Sequence, residues 1–114
     1  MVVFVLGCGA HSRFDLGIPS SKSESFFFHM KEVALQEGYT AGIDEKANTL
    51  SVQTKNGSLV YKTNAYGDGL EVQLSTRAHQ NNSEMESRWL ADLEKIHDTL
   101  LAKARVLSKG NQVW

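Results

Sequence analysis

The stretch from Asn48 to Thr76 most constrains the fold, because two turn signals join three alternating strands into one meander with a single apolar face. Asn56-Gly57 has the form of a two-residue type I′ turn, whose central positions both need the positive φ that Asn and Gly tolerate. That turn pairs Thr54 with Leu59, Val52 with Tyr61 and Leu50 with Thr63, and gathers the larger apolar side chains on one face. A second turn within Gly67-Asp68-Gly69 brings Leu70, Val72, Leu74 and Thr76 beside Tyr61, Thr63 and Ala65 on that same face.

Two amphipathic segments supply the cover such a face needs. Ser21-Lys22-Ser23-Glu24 has the Ser-x-x-Glu form of a capping box and predicts a helix start. Phe26, Met30, Val33 and Glu37 follow at helical spacing, Phe27 and Ala34 widen the stripe, and Gly38 is a natural C′ residue. Tyr39 to Ile43 predicts a short strand before the meander. A second box, Ser83-Glu84-Met85-Glu86, precedes Trp89, Leu93, Ile96, Leu100, Ala104 and Leu107 at steps of three or four. Glu94, Lys95, Asp98, Lys103 and Arg105 mark the wet side of that long helix, and Gly110 ends it, leaving 108–114 as a tail. Leu50, Val52, Leu59, Tyr61, Val72 and Leu74 are expected to pack against Phe26, Met30, Val33, Trp89, Leu93, Ile96 and Leu100.

At the other end, Val2 to Leu6 is a continuous β-branched and aromatic run closed by Gly7, the pattern of a buried strand. Gly7 to Ser20 holds three glycines and the only proline, and predicts a loop or extended arm anchored by Arg13, Phe14 and Leu16. The order is therefore β-α-β-β-β-β-α in a single α+β domain spanning 1–114, a mainly antiparallel sheet packed by two helices. A chain of 114 residues buries about two thirds of its unfolded surface and needs no staple.

Lys plus Arg 12 against Asp plus Glu 13 gives a net charge of -1, so no global field draws in nucleic acid or an anionic membrane. The single Cys8 forms no internal disulfide, and the apolar start is too short for a signal peptide or a membrane span. Val5-Leu6-Gly7-Cys8 has the outline of a lipoprotein cleavage box, but too few apolar residues precede it. The cytoplasm or nucleus is the expected location.

Candidate chemistry is sparse. Gly7-Cys8-Gly9-Ala10 follows a strand, yet neither phosphate-loop spacing is present and the next helix starts more than ten residues later. Cys8 and His11 form a thiol and imidazole pair with no third group beside them, and His29, His79 and His97 have no metal-binding helical spacing. His97 reads as a polar edge of the core. Glu24, Asp68 and Glu71 make an acid and base pair only if the fold assembles them. Ser20, Ser21, Ser23 and Ser25 could take phosphate at a helix start, though serines are also good caps. The sequence thus implies no catalytic residue, no cofactor and no metal. What it offers is Phe26-Phe27-Phe28: three consecutive rings span about 200° of a helix and cannot all face one core. With Phe14 and Met30 they form the candidate partner-binding set, for another protein or a second copy of the chain. A small enzyme with a site near the Gly7 to Ser20 loop and a nucleic-acid-binding module are the alternatives.

From Ser12 to about Leu100 the chain resembles the kinase-associated C-terminal domain of checkpoint-type and related serine/threonine kinases. The shared features are Ser12-Arg13-Phe14 leading to a helix that ends at Gly38-Tyr39, strands around Leu50-Ser51-Val52 and Leu59-Val60-Tyr61-Lys62, and a long last helix. Met1 to Gly9 adds a strand that pattern does not require, and no kinase domain precedes it here. The resemblance implies a non-catalytic regulatory module that packs on another domain or on acidic lipid, lipid being the weaker option at near-zero net charge. The αβββα order also resembles double-stranded RNA-binding domains, whose last helix starts with phosphate-gripping lysines. Glu84 and Glu86 stand at that place in this chain and weigh against RNA.

Overall fold

A computed structural model describes residues 11–64, 67–77 and 83–108. Five strands, β1 (His11–Pro19), β2 (Thr40–Asp44), β3 (Thr49–Gln53), β4 (Gly57–Thr63) and β5 (Gly69–Thr76), form one antiparallel sheet in the order β1-β5-β4-β3-β2. A 3-10 turn at Ser20–Lys22 leads into α1 (Ser23–Gln36), and α2 (Ser83–Ser108) closes the chain. Both helices lie on one face of the sheet, α1 toward β2 and β3 and α2 toward β4 and β5, so the α+β architecture is as the sequence predicts.

The core is the expected one. Leu50, Val52, Leu59, Tyr61, Leu70, Val72 and Leu74 are fully buried beneath Phe26, Phe27, Met30, Val33, Ala34, Leu93, Leu100 and Ala104. Trp89 and Ile96 are half-buried. Leu107 is exposed because α2, 26 residues and so about 39 Å long, extends past strands of five to nine residues.

Four local expectations are corrected. First, Asn56-Gly57 is not a type I′ turn: neither residue has positive φ, and Gly57 is the first residue of β4. Leu50 pairs with Tyr61 and Val52 with Leu59, two residues from the expected register. Because side chains alternate with period two, a slip of two leaves every side chain on its predicted face. Gly57 is used for closeness instead, since a Cβ there would lie 2.2 Å from the Ser75 carbonyl oxygen and 2.9 Å from the Thr76 Cα. The turn is held by Thr54, whose backbone N–H and hydroxyl both donate to the Gly57 carbonyl at 2.8 and 3.0 Å. Arg77 N–H adds a bond to the Asn56 carbonyl at 2.9 Å.

Second, His11–Pro19 is an edge strand rather than a loop: His11 through Asp15 pair with Ser75 through Glu71, and the register then shifts before Pro19 meets Gly69. Gly17, at φ +73, lies within that irregularity, and Pro19 closes a strand on the sheet's edge, where a missing N–H is tolerated. Third, Ser21 does not cap α1; it lies in the 3-10 turn, and the N-cap residue Lys22 makes no side-chain capping bond. Fourth, His97 is a fully enclosed core residue, 2% exposed, rather than an edge. Gly38 does close α1 as predicted, at φ +92, with Gly38 N–H donating to Leu35 and Tyr39 N–H to Ala34 in a Schellman arrangement. The Val2 to Leu6 run, Cys8, His79, Gly110 and the C-terminal tail from Lys109 onward lie outside the described residues.

Candidate protein-binding surface

The two edges of the sheet are built differently. β1 carries Arg13 and Asp15, an irregularity at Gly17 and a terminal proline, the devices by which natural sheets blunt an edge. β2, Thr40-Ala41-Gly42-Ile43-Asp44, has no lysine, no proline and no bulge, and among the described residues it pairs only with β3. The Asp44 carboxylate is turned to its own loop, accepting from Lys46 and Ala47 N–H at 3.0 and 3.2 Å.

Exposed apolar side chains occur on β2 and on α1, the helix that packs on it. Ile43 pairs with fully buried Leu50 and therefore points to the helix-covered face, yet remains 37% exposed. On α1, Val33 and Gln36 line a groove against α2. Phe28 and Leu35, seven residues apart, share a flank of α1 about 140–160° from both Val33 and Met30, on the solvent side of the helix opposite its buried stripe. They are 56% and 47% exposed.

Of the candidate partner set, Phe26, Phe27 and Met30 are fully buried and belong to the core. Phe28 is exposed, in edge contact with the His29 ring, and Phe14 is partly exposed on β1. Leu35 and Ile43 complete the surface and went unnoticed in the sequence; Leu35 was legible from its seven-residue spacing to Phe28. A second apolar feature, a groove of about 380 Å³, lies between Val33 and Gln36 of α1 and Ala102, Lys103, Val106 and Leu107 of α2. Lys103 is tied across it to Glu37 at 2.7 Å.

The polar candidates do not converge. Glu24 is in the first turn of α1 and Asp68 accepts a bond from the Ser20 hydroxyl. Glu71 lies on the uncovered sheet face between Arg13 and Lys62, at 3.8 and 3.9 Å. His11 is on that same face, its Nδ1 3.0 Å from Ser75 Oγ, and Ser23 is buried. Among the described residues no three His, Cys, Asp or Glu side chains gather to hold a metal, and no helix is long and apolar enough to cross a membrane.

A buried polar pair joins Tyr61 and His97, the hydroxyl 2.8 Å from Nδ1, with the Phe14 ring edge-on to the imidazole at 5.4 Å and Phe26 against Tyr61 at 5.6 Å. Burial, and secondarily the Asp98 charge, holds the Tyr61 phenol far above its ordinary range. Burial lowers the His97 pKa, with Asp98 opposing. Burial thus favours the neutral form of both partners in this hydrogen bond.

These features define a two-layer α+β domain in which, among the described residues, the β2 edge carries neither lysine, proline nor bulge. No protein-family model matches the chain, and no curated protein matches it either.

Proposed function

We propose that this chain is a non-catalytic protein-protein interaction or regulatory module that receives an extended segment of a partner, in the simplest case a second copy, along β2. What supports this reading is the β2 edge, with no lysine, proline or bulge and with Ile43 partly exposed, together with exposed Phe28 and Leu35 on α1, the helix that packs on β2 and β3. An edge strand supplies directional backbone bonds and the apolar side chains beside it supply burial, which is how strand addition gains both register and affinity. The resemblance to kinase-associated C-terminal domains agrees with a module that works by packing on another domain. Its Gly38-Tyr39 feature falls where α1 gives way to β2, beside the proposed surface. The net charge of -1 and the acidic first turn of α2, Glu84 and Glu86, disfavour phosphate-rich partners.

Light scattering across a concentration series tests the self-pairing form. The expected mass rises above the 12.6 kDa of one chain, and Ile43→Lys, which places a charge on the edge, restores it to that value. A strict monomer at every concentration, together with salt-sensitive binding to RNA or DNA in a shift assay, would move the function to nucleic-acid recognition.

A further inference from the structure

We propose that the Phe14, His97 and Tyr61 cluster is a proton-operated latch that holds the first half of β1, His11–Asp15, on the sheet and releases it in acid. Before the irregularity around Gly17, β1 turns only Ser12, opposite Leu74, and Phe14, opposite Val72, toward the helices. Phe14 rests edge-on against His97, and His97 in turn is hydrogen-bonded through Nδ1 to the Tyr61 hydroxyl. On the other face the same half-strand is tied by Asn64 to Asp15 at 2.6 Å, by Arg13 to Glu71 at 3.8 Å and by His11 to Ser75 at 3.0 Å. Those are exposed or half-exposed ties and add little stability.

Protonation places a cation in an enclosed space, where Tyr61 offers only a neutral phenol and burial disfavours the charged imidazole. Asp98 offsets the new charge only in part, and Glu86, buried on the same helix, lies eleven residues and so about 16 Å away. β4 presents Tyr61, and β5 presents Leu70, Val72, Leu74 and Thr76, none of which supplies a negative group. α1 presents Ser23, Phe26, Phe27, Met30, Val33 and Ala34, all uncharged, and β1 presents Phe14. Glu71, Arg13 and Lys62 lie across the sheet, and Asp98, next along α2, is exposed. The imidazolium is satisfied by water, and the cluster's partly exposed member is Phe14. Displacing Phe14 admits water, with Gly17 as the natural hinge, and uncovers β5 as a second edge for a partner strand.

Hydrogen exchange on the intact chain at about pH 7.5 and about pH 5.5, corrected for intrinsic exchange, tests the latch. Protection in His11–Asp15 is expected to fall about tenfold in acid while β3 and β4 hold. His97→Gln, whose amide accepts from Tyr61 at either pH, is expected to abolish the step, and His11→Gln to leave it. The proposal is overturned if His97→Gln keeps the wild-type step, if His11→Gln removes it, or if all strands lose protection together. Should His97→Gln not fold, the His97 ring titration followed by NMR decides: it must run in parallel with β1 opening, and any separation of the two overturns the latch.

Discussion

Gly57 stands where a side chain has no room. The β4–β5 pairing brings Gly57 opposite Thr76, and the site is roofed by Leu93 Cδ1, 3.0 Å from where a Cβ would be. Two of the three crowding atoms are backbone and cannot swing aside. Gly57→Ala is therefore expected to destabilise by about 1–3 kcal/mol in urea denaturation, the usual cost of overpacking. Gly67→Ala, with nothing within 4 Å, is expected to stay within about 0.5 kcal/mol. Tyr61→Phe isolates a different residue-level effect. It removes the Tyr61 partner of the buried His97 Nδ1, and about 1–3 kcal/mol is the expected loss by the same measurement.

Helix α2 separates core from surface along its length. Leu93 and Leu100 are fully buried against the sheet, whereas Val106 is 75% exposed on the overhanging end. Leu93→Ala is expected to cost about 2–5 kcal/mol and Val106→Ala no more than about 0.5 kcal/mol, read as shifts in denaturation midpoint. The alternation of Leu50 to Val52 and Leu70 to Leu74, and the three-and-four spacing of α2, made these faces legible, because burial on one side leaves a periodic trace. β1 left a trace too, in Phe14, Leu16 and Ile18 at every second residue, but its Gly17 and Pro19 resemble loop punctuation. An edge strand needs only one row of ladder bonds and so tolerates them. Of the binding surface, Phe28 and, by its spacing to Phe28, Leu35 were legible. Ile43 is exposed because of where β2 falls in the strand order, and strand order is a non-local property. The Tyr61 to His97 bond, spanning 36 residues, has no local signature at all.

At the scale of the whole molecule, His97 sets a pH dependence of stability. Its folded pKa lies below the free value of about 6.5, so as pH falls the unfolded chain takes up the proton first. Stability is full above about pH 6.5 and declines as the pH drops from there toward the folded value. Urea midpoints between about pH 8 and pH 5 are expected to fall in the wild type and to flatten in His97→Gln, apart from the contributions of carboxylates at the acid end. The β3–β4 register has a different consequence, for how the chain reaches this state. Asn56-Gly57 locally favours the tight mirror-image turn, whereas the native pairing is fixed by Thr54 and by Arg77, which arrives from beyond β5. Local and global preferences therefore disagree by two residues at this hairpin, a point of frustration in an otherwise consistent sequence. A peptide of residues 48–64 alone is expected to place Val52 opposite Tyr61 in cross-strand NMR contacts. In the full chain β5 must dock before the hairpin commits, and a slow phase in refolding that shortens when Asn56 is replaced by Ala would report the escape from that misaligned intermediate.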